Sequence, residues 1–126
     1  MSEEIYQKNV LGEKLEECSV YPITGWFIEG CCNTKEVDHG VHTVCAQVTT
    51  KFLEWAKIAG NDLITPHLEV NFSGLKNGDS WCICAGTYLQ SIEAGTACKI
   101  FLKRTNYRTL EIIPLEKLKQ YAIDLS

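Results

Sequence analysis

Two stretches of the chain show the clearest patterns of apolar and polar positions. From Val41 to Val48 the order Val-His-Thr-Val-Cys-Ala-Gln-Val is dominated by β-branched residues and contains no breaker, which predicts a strand. A period of two places His42, Val44 and Ala46 on one face and Thr43, Cys45 and Gln47 on the other. The competing reading is a helical start, which puts His42 and Cys45 at i, i+3 on a shared face. Ser80 to Ala85 predicts a second strand, with Cys82 and Cys84 on one face and Trp81, Ile83 and Ala85 on the other. Leu68, Val70 and Phe72 alternate with Glu69 and Asn71, the pattern of a half-buried strand. Gly74 to Asp79 contains the tight-turn dipeptide Asn77-Gly78 and would return that strand antiparallel onto 80–85.

Helical spacing appears between and after these stretches. Thr49 or Thr50 suits the N-cap of a helix over about 50–59, in which Phe52, Leu53, Ala56 and Ala59 recur on one face and Gly60 suits the position just past the end. Thr87 to Ala94 predicts a short helix stopped by Gly95. Residues 99–103 and 109–113 read as a hairpin, and Pro114 suits the first turn of a helix through about Tyr121 that carries Leu115, Leu118 and Tyr121 inward. Near the start, Asn9 to Gly12 reads as a short apolar segment ending in a turn, and Leu15 with Cys18 fits one turn of helix. Pro22, Gly25 and Gly30 around Trp26-Phe27-Ile28 predict a packed loop or short strand. Strands and helices mix without a βαβ rhythm. The expected fold is therefore α+β: a single compact domain over 1–126 with a mainly antiparallel sheet packed by two to four helices.

Composition narrows the partners. The net charge is −4, and the basic residues are scattered apart from Lys99, Lys103, Arg104 and Arg108. A surface that tracks phosphates needs a clustered basic excess, so no nucleic-acid partner is expected. The opening MSEEIYQKNV has neither a basic n-region nor an apolar h-region, and no apolar run reaches the eighteen or so residues of a membrane span. A cytoplasmic protein is the expectation. In a reducing compartment, its seven cysteines are expected as thiols, metal ligands or redox groups rather than stable disulfides.

Candidate chemistry concentrates in Gly30 to Ala46, where three of the seven cysteines and two of the three histidines fall within one short segment. Cys31, Cys32, His42 and Cys45, joined by Cys82 and Cys84, offer the thiolate and imidazole donors that zinc takes in closed tetrahedral sites. Their spacing is not that of the usual zinc knuckles. The packing alternative treats the cysteines as small buried hydrophobes. A nucleophilic reading takes Cys45, or Cys31 or Cys32, as thiolate, with His42 as base and Asp38 orienting the imidazole. A redox reading has Cys31-Cys32 or Cys82 and Cys84 cycling through a disulfide. Asp38, Asn61, Asp62 and Asp79 lie beside turn glycines, where turn and cap duty explains them. His67 stands in a connecting loop with no partner visible in the sequence. Phosphate-loop, dinucleotide, nucleophile-elbow and His-Glu-x-x-His motifs are all absent.

The chain resembles a mostly bacterial family catalogued as domain of unknown function 2237. The matching pieces include Asn9-Val10-Leu11-Gly12, Cys18-Ser19, Gly30-Cys31-Cys32, His42-Thr43-Val44-Cys45-Ala46, Gly60-Asn61-Asp62-Leu63, Gly74-Leu75-Lys76, Trp81-Cys82 and Cys84-Ala85. The resemblance implies a stand-alone small domain and brings no activity, cofactor or catalytic residue with it. Lys35 stands where the pattern has glycine, and His39 and Cys98 stand where it is apolar or proline-like, so a site common to the family would not depend on either of the latter two. The leading expectation is a thiol-rich pocket, built from 30–46 and 81–85, that binds a small ligand or a metal. Cys31, Cys32, Asn61, Asp62 and Trp81 are its candidate ligand contacts. The alternatives are a cysteine-dependent enzyme using Cys45, His42 and Asp38, and an interaction module whose cysteines merely pack.

Overall fold

The computed structural model describes residues 8–19, 32, 42–70 and 72–124; the loop expected around Trp26-Phe27-Ile28, together with Cys31, Asp38 and His39, lies outside them. The β-branched run forms strand β1, His42–Gln47, as its composition predicts. It is the centre of a three-stranded sheet, flanked by β2, Ser80–Cys84, and by the two-residue β3, Lys99–Ile100, both antiparallel to it. Among the described residues three α-helices complete an α+β domain: α1, Thr50–Ile58; α2, Ala85–Glu93; and α3, Leu115–Lys119.

The helix signals act where the sequence puts them. Thr49 is the N-cap of α1, its hydroxyl accepting from the Phe52 amide at 3.2 Å, and Gly60 takes the left-handed φ of 99° just past the helix end. Phe52, Leu53 and Ala56 from α1 meet Val44, Ala46 and Val48 from the central strand region, together with Ile83 of β2 and Tyr88 of α2, in the main apolar core. Leu118 of α3 and Ile113 close the same core. Tyr88 is completely buried, and its hydroxyl donates to the Cys98 carbonyl at 2.6 Å. The apolar core would otherwise leave that hydroxyl unpaired.

Three expectations change. Residues 68–72 are not a strand: Leu68–Val70 is a single 3-10 turn, and Leu68 is 76% exposed. The amides and carbonyls of His67 and Phe72 exchange two hydrogen bonds, of 2.7 and 3.0 Å, which pinch the segment into a closed loop, with Leu68 and Glu69 exposed and Phe72 half-buried against the main core. The neighbour of β2 is therefore β1. Residues 99–103 and 109–113 do not form a hairpin, because side chains cap the backbone on both sides of residue 105. The Asp124 carboxylate accepts from the Leu102 and Lys103 amides at 2.8 and 2.9 Å, and the Asn106 side chain accepts from the Arg108 amide at 2.9 Å. These caps start the 3-10 segments Leu102–Arg104 and Tyr107–Glu111 in place of a ladder. Leu15 and Cys18 are both buried, but the chain between them is not helical.

Candidate functional site

The sheet separates two kinds of core. Cross-strand partners share a face. Ala46 pairs with Trp81 and Val44 with Ile83 on the side of the main apolar core, against which Trp81 packs. Cys45 pairs with Cys82 on the other side, and there a second, separate cluster forms from Cys18, Cys32, Cys45 and Cys82, with exposures of 4, 0, 0 and 3%. The ring of Phe101 packs against it, with the Arg104 guanidinium 4.3 Å from the ring centroid. Backbone ties hold that cover in place. The Phe101 amide donates to the Cys45 carbonyl at 3.0 Å, and the Cys45 amide donates at 3.1 Å to the Thr105 hydroxyl, which itself donates to the Phe101 carbonyl at 2.8 Å.

The four sulfurs are joined as two disulfides. Cys18 bonds Cys45, with 5.7 Å between their Cα atoms, and Cys32 bonds Cys82, with 5.4 Å. The two bridges adjoin: the sulfurs of Cys18, Cys32 and Cys82 lie within 4.8 Å of one another. This corrects the expectation that the cysteines avoid disulfides, and Cys32 is not paired with its neighbour Cys31. Cys45, bonded to Cys18, presents no thiol in this form, so a Cys45 nucleophile would first have to be released by reduction.

His42 does not sit where strict alternation puts it. Val44 lies opposite Ile83 but His42 lies opposite Cys84, so two steps along β1 match one step along β2. An extra residue of this kind bends the strand and re-aims the side chains beside it. His42 is thereby the cross-strand partner of Cys84, which is two residues from Cys82 and on its face. The strand reading holds over 42–47, and the bulge brings His42 toward the sulfur side that regular alternation denies it.

The remaining candidates are dispersed. Trp81 packs against Phe72 in a tilted contact, with ring centroids 5.4 Å apart, on the face away from the sulfurs. Asn61 and Asp62 lie in the connection after α1. One Asp62 carboxylate oxygen accepts from the Ile64 and Thr65 amides at 2.9 and 3.0 Å, and the other accepts from the Thr65 hydroxyl at 2.5 Å. The Thr65 hydroxyl is the largest influence holding the Asp62 pKa down, at about 2. Asp79 likewise accepts from the Lys76 amide at 2.9 Å, so both acids do turn work. His67 is exposed but does have partners: its ring lies 3.3 Å from Glu69 and stacks on Phe72. Cys98 is buried in the main core, and burial pushes its thiol up to about 12. The residue that sequence reasoning left out of the candidate set is Cys18. Its one signal was the presence of Cys18-Ser19 among the family-like pieces.

A sequence profile described as "uncharacterized protein conserved in bacteria (DUF2237)" matches residues 8–122. The chain belongs to this family. The DUF2237 match runs from Lys8, at the N-terminal turn, to Ala122, just past α3, and it takes in all four clustered cysteines. No curated protein matches this DUF2237 chain. Among the described residues, no helix is long and apolar enough to cross a membrane.

Proposed function

We propose that this domain binds a soft or borderline divalent cation, zinc before others, through the thiolates of Cys18, Cys32, Cys45 and Cys82, and that the disulfide-bonded cluster is the oxidised, metal-free form of the site. One observation carries the reading: four cysteines from four separate parts of the chain bring their sulfurs into one buried cluster, three of them within 4.8 Å of one another. A tetrahedral zinc with bonds near 2.3 Å needs its sulfurs about 3.8 Å apart, a spacing these side chains reach once the two covalent bonds are broken. Burial favours a closed structural site, since it excludes water from a fourth position. The donor set is all sulfur, which fits zinc or another thiophilic ion and not magnesium or calcium.

A second reading is favoured by the bonds themselves: the cluster is a double covalent brace and nothing more. One experiment separates the two. The protein is reduced anaerobically with a phosphine, equilibrated with zinc and freed of excess metal. The metal-site reading expects one zinc per chain, a raised melting temperature and loss of both in Cys82→Ala. Sub-stoichiometric metal, with melting unchanged by a chelator, overturns it and leaves the brace.

A further inference from the structure

We propose that Cys84 is the relay thiol through which a dithiol reductant opens the buried Cys32–Cys82 disulfide. A thiol reduces a disulfide by attacking one sulfur in line with the bond, and it has to reach that sulfur to do so. The four clustered cysteines are at most 4% exposed and carry the Phe101 ring against them, so a solution reductant reaches either bridge only through local opening of the fold. Cys84 lies outside both bridges and is only half-buried. It ends β2, two positions beyond Cys82 on the same face. Two steps along a strand separate Cα atoms by roughly 6.6–6.8 Å, the upper end of the range that a disulfide spans. The regular ladder is also interrupted at this point by the bulge opposite Cys84. Cys98 cannot serve, since it is buried within the main apolar core.

The exchange balances without an external oxidant. The Cys84 sulfur attacks the Cys82 sulfur; a Cys82–Cys84 bond forms, the Cys32–Cys82 bond breaks, and the proton given up by Cys84 ends on the Cys32 sulfur. A dithiol from solution then attacks the half-exposed Cys84 sulfur and Cys82 leaves as a thiol. The second thiol of the reductant displaces Cys84, so the dithiol is oxidised to its disulfide while Cys32 and Cys82 gain two electrons and two protons.

The inference rests on the reading of the cluster as a centre that opens by reduction, but its test does not involve metal. Oxidised wild-type and Cys84→Ser proteins are treated with a dithiol or with a phosphine, quenched by alkylation at intervals, and mapped by mass spectrometry. The expected result is a reduction of Cys32–Cys82 by dithiol at least tenfold slower in Cys84→Ser, an unchanged phosphine rate, and a trapped wild-type species with Cys82–Cys84 bonded and Cys32 alkylated. Equal dithiol rates in the two proteins overturn the proposal. So does an equal slowing with both reductants, which would place the effect in local opening of the fold. A failure of zinc uptake after phosphine reduction removes the metal reading and leaves these rates as they are.

Discussion

Cys45 and Cys82 face each other across the β1–β2 ladder, and neither bonds the other: Cys45 holds Cys18, and Cys82 holds Cys32. Two neighbouring positions on adjacent strands thus fasten two different upstream segments to the same face of the sheet. The arrangement packs four sulfurs together because the strand pairing sets two of them side by side and each of these holds one more.

Removing either bridge should cost stability through the unfolded chain. The bridges span sequence separations of 27 and 50 residues. Loop-closure entropy then gives about 3.5 kcal/mol for Cys18–Cys45 and about 4 kcal/mol for Cys32–Cys82. The double variants Cys18→Ala with Cys45→Ala, and Cys32→Ala with Cys82→Ala, are expected to lose stability in that order of magnitude in urea titrations of the oxidised protein. The two losses will not add, because the loops overlap between residues 32 and 45. A loss under 1 kcal/mol in both would show that neither bridge forms in solution.

Among the described residues, the two thiols outside the bridges should differ in reactivity. Cys98 is buried, its thiol pushed up to about 12 by loss of solvent, whereas Cys84 is half-buried at the end of β2. Iodoacetamide at pH 8, without reductant, is expected to label Cys84 and leave Cys98 intact until the protein unfolds. The raised folded value also fixes a sign: Cys98 contributes stability in full below its unfolded value near 9, and that contribution is lost as pH rises toward about 12. Urea midpoints between pH 8 and 10.5 should therefore fall more steeply in the wild type than in Cys98→Val. Equal slopes would count against the burial.

The sequence made the central parts of this fold legible for local reasons. The β-branched run of β1, the Thr49 cap, Gly60, and the turn at Asn77-Gly78 before β2 each act within a few residues, so pattern alone places them. The misread segments were decided by hydrogen bonds that a pattern of apolar and polar positions does not show. Asp124 caps the turn at Leu102 from 22 residues away, and the His67–Phe72 pinch closes an alternating stretch on itself. The site divided in the same way. Cys32, Cys45 and Cys82 stood out by their neighbours, whereas Cys18 sits among ordinary polar residues and joins the cluster only through the chain's path. The bulge that re-aims His42 leaves no mark in a pattern of period two.

Asp62 supplies a test in acid. Its carboxylate is held low, at about 2, first by the Thr65 hydroxyl and then by the Thr65 and Ile64 amides. A depressed folded value means that the stabilisation is present above the unfolded value near 3.8 and is lost as pH falls through about 2. Asp62→Asn should lower the melting temperature slightly at pH 6 and converge with the wild type near pH 2. A constant gap between the two melting curves across that window would remove the carboxylate from the account.

Asn9 offers the sharpest test of the N-terminal turn. It is fully buried, yet all its polar atoms are engaged: its side-chain amide donates to the Lys103 and Lys14 carbonyls at 3.2 and 3.4 Å, and its oxygen accepts from the Leu11 and Glu13 amides at 2.9 and 3.0 Å. Its backbone amide and carbonyl close the same turn against Glu13 and Gly12, and the chain pairs there with Asn106. Asn9→Ala therefore strands two amides and two carbonyls at once, and each backbone group left unpaired away from water is costly. The expected loss is about 2–3 kcal/mol, read as a shifted urea midpoint with unchanged slope. Asn9→Asp keeps the acceptor but sets a buried carboxylate oxygen against the Lys14 and Lys103 carbonyls and should cost at least as much as Asn9→Ala, while an Asn9→Ala variant within 0.5 kcal/mol of the wild type, the usual range for an exposed substitution, would show that the turn is held by something other than this side chain.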